Sequence, residues 1–444
     1  MFTITNTVSG KKEELTPIKP GKITLYVCGV TPYSASHIGH GRCYVAFDVL
    51  YRVLKFLGYD ITYCRNFTDI DDKLLNKAQE QLGDKFKYKA IADKWIAAYH
   101  DDMRRLNCLP PTFEPRVTDN IPEIISFIAA LIQKGHAYEV DGDVYFDISS
   151  FPDYGILSKH KLEDLRAGAR VDVREQKRDP LDFALWKAEP EGTFWQSPWG
   201  YGRPGWHIEC SALAHKFLGE HIDIHGGGMD LVFPHHENEI AQSESLYGTP
   251  FARYWVHNGF VTIDKEKMSK SLGNVFSLKE ICEQFDPMAI RFYLINHQYR
   301  APLDFSKESI EAAQKTYQRL CKAFEPFKPS HDTAAMKELP IIQAMLEFLC
   351  DDLNTVGLMG ILFEHLKYII AHPSQASLVK GFIIDVLGLP LEPLFEPNMV
   401  ITPKIQRLLD ERTEARNNRN WARADAIRDE LAQMGFDVQD KKSK

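Results

Sequence analysis

Residues 22–66 constrain the fold more than any other stretch of the chain. Lys22-Ile23-Thr24-Leu25-Tyr26-Val27-Cys28 is β-branched and aromatic with little alternation, as expected of a strand covered on both faces of a parallel sheet. Gly29 ends it, and the loop GVTPYSASHIGHGR follows. Over 44–57, Val45, Val49, Val53 and Leu57 recur at helical spacing, and Gly58 supplies a C-cap. Residues 61–66 read as a second strand. Strand, loop, helix and strand make one βαβ unit, the building block of a doubly wound nucleotide-binding sheet.

The rest of the chain is read around that unit. Residues 70–135 look helical. Over 136–204 Gly, Pro and aromatic residues accumulate (DGDVYFD, GRPGW), which predicts an irregular insertion with short strands. The α/β pattern resumes at Trp206. His221-Ile222-Asp223-Ile224-His225 is a short strand, the glycines after it a turn, and Pro234 the opening of a helix. Residues 254–263 form a candidate strand pair. Beyond 306 the pattern is all-helical, Pro390, Pro393, Pro397 and Pro403 punctuate a linker, and 404–437 predict a charged helical hairpin or one long helix.

The expected fold class is therefore α/β. A split Rossmann-type catalytic domain (20–120 and 205–260) carries a connective insertion (121–204). A junction (261–305), an all-α bundle (306–400) and a small C-terminal helical segment (401–444) follow.

Composition limits the setting. The N-terminal residues show no basic start followed by an apolar run, and no apolar stretch approaches the roughly 20 residues that span a bilayer. Eight scattered cysteines build no disulfide framework and suit a reducing compartment. A soluble, cytoplasmic protein without membrane contact is expected. The net charge of −8 does not advertise a nucleic-acid binder, although phosphate is attracted by local patches rather than by the total.

Two segments carry phosphate chemistry. His37-Ile38-Gly39-His40 lies between a strand and a helix. Histidines three apart share a face, Gly39 lets a flat ring approach the backbone, and a helix N-terminus favours phosphate. Lys267-Met268-Ser269-Lys270-Ser271 places two lysines three apart with one hydroxyl between them and another just beyond, an arrangement able to clamp a triphosphate as charge develops on leaving pyrophosphate. Each alone also fits a plain surface loop. Together, in this order and around a split α/β unit, they resemble the class I aminoacyl-tRNA synthetases. His37, His40, Lys267 and Lys270 are the expected catalytic groups, with Gly39, Met268, Ser269 and Lys270 against ATP.

A third constellation mixes thiol, imidazole and carboxylate. Cys28 ends the first strand, Cys210 sits in GWHIECSA, and His235, His236, Glu237 and Glu239 crowd PHHENE. These are zinc-ligand types, and a tetrahedral site takes four. On a helix from Pro234, His235 and Glu239 share a face, whereas four beyond His236 stands Ile240. Cys28, Cys210, His235 and Glu239 are thus the better set. Cys28 precedes His37 by nine residues, which would put a metal beside the ATP loop.

The segments GVTPYSASHIGHGR, RNFTDIDDK, GRPGWHIECSA, DIHGGGMDLVFPHHENEIAQSE and KMSKSLGN resemble those of the cysteinyl-tRNA synthetases, and the likeness runs over roughly 20–435. It implies one zinc ion per chain, held by the residues just named and binding the substrate thiolate. A thiophilic ion separates cysteine from serine better than shape can, so no editing site is expected. The resemblance also implies an amino-acid pocket from Gly29, Thr68, Trp206 and His225, and adenine and ribose contacts from Gly226, Gly227 and Asp230. Mg2+ would accompany ATP. Asp69, Asp71 and Asp72 read as solvated helix-start acids rather than a magnesium cluster.

The implied activity is cysteine–tRNA ligation by a monomer with tRNA(Cys), L-cysteine and ATP as partners. Arg412, Arg416, Arg419, Trp421 and Arg423 are the candidate RNA contacts, in a segment with ten basic and eight acidic residues. Many relatives continue beyond the segment matching 434–440 with a further tail, where this sequence reads KKSK. Two rival readings are a cysteine ligase with an amino-sugar acceptor and an inactive RNA-binding zinc protein.

Overall fold

The computed structural model describes residues 1–161, 177–263, 266–267, 276–392, 403–418 and 420–433. The chain divides into two compact units, residues 1–393 and 394–444.

In the first unit a short hairpin, β1 (Thr3–Asn6) and β2 (Lys11–Glu14), precedes β3 (Lys22–Val30), α1 (Ile38–Leu57) and β4 (Asp60–Phe67). The expected βαβ unit is present, with Gly58 closing α1 in the left-handed region at φ 105°. The helix starts six residues earlier than its apolar stripe suggests, at Ile38 rather than Tyr44. Gly39 and Gly41 dilute the stripe in that first turn.

Helices α2 (Asp72–Leu82), α3 (Tyr88–Arg105) and α4 (Ile121–Gln133) follow. Of the three acids at the start of α2, Asp72 is exposed as expected and Asp71 partly so, whereas Asp69 is not solvated. Asp69 is buried and accepts from the Thr118 N–H (2.9 Å) and hydroxyl (2.7 Å). Asp71 caps α2, accepting from the Lys73 N–H, and Asp72 pairs with Lys187 at 2.7 Å and with Arg203.

Strands β5 (Ala137–Val140), β6 (Asp143–Phe146), β7 (Phe183–Ala188), β8 (Trp195–Ser197) and β9 (Gly200–Pro204) form an antiparallel sheet in the order β5-β6-β7-β9-β8. Next come α5 (Trp206–Leu218), β10 (Ile222–Gly228), α6 (Glu237–Tyr247) and β11 (Ala252–Asn258). The parallel sheet has the order β11-β10-β3-β4, so the antiparallel sheet interrupts it in sequence but not in space.

Two local expectations need correction here. Gly226–Gly228 are not a turn but the last residues of β10. Gly226 is required there, because a Cβ would lie 2.2 Å from the Phe47 ring. Pro234 does not open a regular helix either. Residues Val232–His236 form a wide π-type turn in which Phe233 is extended, and α6 begins at Glu237.

The predicted strand pair at 254–263 is divided between two sheets. β12 (Val261–Ile263) pairs with β13 (Glu266–Lys267) and with β14 (Leu303–Phe305). Between these lie α7 (Leu278–Gln284) and α8 (Pro287–Ile295). Five helices complete the unit: α9 (Lys307–Phe324), α10 (Thr333–Glu338), α11 (Pro340–Cys350), α12 (Thr355–Ile370) and α13 (Pro373–Phe382). The second unit is a helical hairpin, α14 (Pro403–Asn417) and α15 (Trp421–Gln433), closed by Leu408, Ile427 and Leu431. Among the described residues no helix is long and apolar enough to cross a membrane.

Buried charge ties α1 to its surroundings. Arg291 on α8 is fully buried. It pairs with Asp48 of α1 and donates to the Leu106 carbonyl (2.8 Å) and the Leu387 carbonyl (2.7 Å). Asp48 also takes Arg52 at 2.7 Å and the Leu109 N–H at 2.7 Å. Removing one partner would strand the other charge away from water. Arg291→Ala is therefore expected to lower stability by about 3–5 kcal/mol, measured by denaturant unfolding.

A second buried anion fastens the loop after Phe151. Glu237 accepts the backbone N–H groups of Gly155 (2.9 Å), Leu157 (3.3 Å) and Ser158 (2.7 Å). Glu237→Ala should release residues 155–160 and speed proteolysis there severalfold, while cleavage elsewhere keeps its rate.

Candidate active site

A cavity of about 400 Å3 opens at the carboxyl ends of β3, β10 and β11. That edge is where ligands bind in open α/β sheets. One wall is the first turn of α1, with His37, Gly39 and His40 lining the space. His37 is the N-cap, and its backbone N–H donates to His40 Nδ1 at 3.1 Å. A backbone N–H can only donate, so this bond makes His40 Nδ1 an acceptor and leaves the ring proton on Nε2. The two rings stack with centroids 3.8 Å apart. The wall thus offers an imidazole donor together with helix N–H groups, both suited to phosphate oxygens.

Asp230 lines the cavity from the short helical turn after β10, as do Gly228 and Leu231. Gly226 and Gly227 lie deeper in the strand and do not line it. The backbone of Lys267 ends β13. Its side chain, and the whole of Met268, Ser269 and Lys270, lie outside the described residues. The chain downstream returns to the histidine loop: Ser277 bridges His37, and the Leu278 N–H donates to the Ser36 carbonyl at 2.8 Å. Ser277 and Glu280 form a capping box on α7. Serine followed three residues later by glutamate is its sequence signal, and that signal escaped the reading above.

The thiol, imidazole and carboxylate residues converge behind Gly29. Donor atoms of Cys28, Cys210, His235 and Glu239 all lie within 4.8 Å of one another, and all four residues are buried. They come from β3, α5, the π-type turn and α6. The thiol sulfurs are 3.7 Å apart, close to the ~3.8 Å separation of two sulfurs on a tetrahedral zinc with Zn–S of about 2.3 Å. His235 Nε2 lies 3.0 Å from Glu239 Oε1.

A second set, Cys28, His225, His236 and Glu239, satisfies the same distance test. The helix-spacing argument against His236 overlooked the i,i+3 relation, which puts it 3.9 Å from Glu239. The first set holds both thiols and reaches the cavity, because Cys28 and Trp206 line it and Trp206 stacks on His235 at 4.3 Å. The first set is thus the one a thiophilic ion facing the cavity would use.

Electrostatics in this pocket is dominated by mutual pairing. Burial alone would raise the Glu239 carboxyl, but His225 (2.7 Å to Oε2) and His235 outweigh it and hold it well below the usual carboxylate range. The hydrogen bond from Cys28 outweighs burial at Cys210 and brings its thiol down to about 6. His235 is driven by Glu239 and Cys210, against burial, up to about 10. Burial, reinforced by His225, keeps His257 neutral, down to about 3. His257 continues a chain, with Nε2 2.8 Å from His236 Nδ1 and Nδ1 2.7 Å from the Thr7 hydroxyl. Nothing in the spacing of His257 signalled this.

The four residues expected around the amino acid fall in two layers. Gly29 and Trp206 line the cavity. A Cβ on Gly29 would meet the Asn66 carbonyl at 1.5 Å, so no other residue fits between β3 and β4 there. Thr68 and His225 stand behind. Thr68 donates to buried Glu209 at 2.6 Å, and His225 stacks on Trp255 at 4.5 Å while bonding Glu239. Glu209 is a further functional candidate missed in the sequence, where it reads as an ordinary helix acid.

In the C-terminal hairpin the expected RNA contacts separate. Trp421 is 57% exposed, not buried, and the Arg416 guanidinium lies 6.0 Å from its ring centroid. Arg423 is held by Glu411 at 2.6 Å. Arg412 is buried, which corrects its assignment to an exposed RNA face: it falls on the apolar side of α14 near Leu408. Arg419 lies outside the described residues.

Residues 14–315 match the tRNA synthetases class I (C) catalytic domain, and residues 400–444 match the cysteinyl-tRNA ligase anticodon binding domain. The cysteine–tRNA ligase of Pelobacter propionicus is 45% identical, with 98% of this chain and 97% of that protein aligned. That of Geobacillus thermodenitrificans is 46% identical, with 98% and 96% aligned. Among solved structures, Mycobacterium tuberculosis methionyl-tRNA synthetase with methionyl-adenylate superposes with a TM-score of 0.56 at 16% identity, over 91% of this chain and 96% of that one. An Agrobacterium radiobacter leucyl-tRNA synthetase in a ternary complex gives 0.58 at 12%, over 87% and 88%. The last two likenesses speak for the fold, and neither rival reading finds support in any of them. With a class I catalytic domain over most of its length and near-full-length relatives at this identity, the chain belongs to the cysteine–tRNA ligase family.

Proposed function

We propose that the cavity makes cysteinyl-adenylate against a zinc-bearing wall and hands it to tRNA. One observation carries the reading: four zinc-type donors from separate segments converge on the strand end that adjoins the phosphate-binding turn of α1. Zinc held by Cys28, Cys210, His235 and Glu239 would supply a thiophilic contact that serine cannot match. The remaining work falls to the chain's own groups.

The cysteine carboxylate attacks the α-phosphorus of Mg-ATP, and the bond to pyrophosphate breaks. His40, its proton on Nε2, donates to a phosphate oxygen, with His37 beside it and the N–H groups of α1 adding their field. Lys267, Met268, Ser269 and Lys270 are assigned to the triphosphate, and Gly39, Gly226, Gly227 and Asp230 to the adenosine half. Gly29 and Trp206 face the amino acid directly. Thr68 and His225 act through Glu209 and Glu239. The tRNA ribose hydroxyl then attacks the activated carbonyl and AMP leaves. Positioning and charge suffice, with no covalent intermediate on the protein.

On the tRNA side, Arg416, Arg419, Trp421 and Arg423 remain the candidate contacts of the C-terminal segment. Division into a split catalytic domain, insertion, junction, bundle and hairpin is proposed on the same footing. So are a monomeric state and a cytoplasmic setting, which the eight free cysteines suit.

Cysteine-dependent ATP–pyrophosphate exchange is the test, run with serine as control and with zinc removed by a chelator in parallel. Exchange should need both cysteine and zinc, and His40→Ala should lower it by about a hundredfold or more. A strong serine signal, or full cysteine exchange without metal, would refute metal selection.

A further inference from the structure

The cavity continues past the metal wall to a flank that none of the roles above uses. Lys73 of α2 and Trp95 and Tyr99 of α3 line it, across from Tyr33 and Ser34 in the loop after β3. Both helices follow β4, which adjoins β3 on the side away from β10. Tyr99 packs edge-on against Phe67 at the end of β4, with centroids 5.4 Å apart. This flank and the Asp230 side therefore lie at opposite ends of the cavity, with Cys28 and Gly29 of β3 between them.

Its chemistry is unfinished. Tyr99 is 2% exposed, yet its hydroxyl has no hydrogen-bond partner among the described residues. The Trp95 indole N–H is also unpartnered. A buried donor left in that state costs about 1–3 kcal/mol, a cost that a bound acceptor removes. The two side chains are four residues apart on α3 and share one face. Lys73 is exposed, with its ammonium 5.4 Å from the Tyr33 ring centroid and no carboxylate partner among the described residues. Aromatic surface, two free donors and one cation are what a nucleoside with a phosphate needs.

Ligation brings three ligands to one carbonyl: the amino acid, the nucleotide and the acceptor ribose. The first two are assigned to the β3 and β10 side. We infer that the Lys73–Trp95–Tyr99 flank holds the terminal adenosine of the tRNA, with its base against Trp95 and Tyr33 and its 5′-phosphate near Lys73. The ribose hydroxyl then adds to the face of the carbonyl turned toward this flank, and the tetrahedral adduct expels AMP. The inference rests on the ligase reading above and adds the acceptor subsite to it.

Single-turnover transfer from preformed cysteinyl-adenylate tests it, with cysteine-dependent pyrophosphate exchange, which needs no tRNA, measured on the same samples. Lys73→Ala, Trp95→Leu and Tyr99→Phe should each slow transfer or raise KM for tRNA by about tenfold, with exchange kept within about twofold. Lys73→Ala alters only an exposed side chain, so a folding defect cannot account for its result. Wild-type protein should bind intact tRNA more tightly than tRNA lacking the terminal adenosine, and Lys73→Ala should shrink that difference. Unchanged transfer, equal losses in transfer and exchange, or an undiminished preference for the intact end would overturn the inference. Failure of the wild-type protein to charge tRNA at all would instead strike the ligase reading.

Discussion

A carboxylate sealed from water holds the site together. Glu239 has no exposed surface, and an isolated anion in such a place would protonate or unfold its surroundings. It survives because His225 takes one oxygen and His235 the other, with Cys28 3.6 Å away. Those partners arrive from β10, from the turn before α6 and from β3. The carboxylate thereby fixes the register of three elements, and the same pairing sets the protonation of Cys210 and His235. An ion joining this set meets donors already aimed, and binding it must release the protons that Cys28 and His235 carry without it. Glu237, two residues earlier, performs a like task outward, drawing three backbone N–H groups of the loop at 155–158 onto the same segment.

Helix α1 connects this wall with the rest of the chain. Its first turn presents the histidine pair, and its middle carries Asp48. Its face beyond the histidines packs under β10, where Phe47 fills the space that Gly226 leaves. Arg42 reaches from α1 to the Gln298 carbonyl just beyond α8, and Arg291 reaches back from α8 to Asp48, so α8 is tied to the helix that bears the histidines. The bridge between His37 and Ser277 closes the circuit through the backbone. The histidine turn and Ser277, more than two hundred residues apart in the chain, are therefore joined directly.

Much of this was legible because local rules and the global fold agree. The first strand, the helix after it and the Gly58 cap follow from periodicity and backbone freedom alone, and the clustering of Cys28, Cys210, His235 and Glu239 follows from residue chemistry, whereas the helical spacing did not set them apart from a set with His236. Where the reading failed, tertiary contact overrode local preference. Three glycines suggest a turn until a ring from α1 demands that the strand stay bare. Asp69 looks like a solvated helix-start acid until Thr118 is found to bury it, and Arg412 looks like an RNA contact until the hairpin folds. His257 and Glu209 carried no signal, because a single histidine or glutamate acquires its meaning only from what folds against it.

Zinc-edge X-ray absorption on the purified protein tests the donor set most directly. The account predicts one zinc per chain with two sulfur ligands at about 2.3 Å beside nitrogen and oxygen, and a third sulfur when cysteine is added but not when serine is. A metal-free protein, or a sulfur shell unchanged by cysteine, would contradict it.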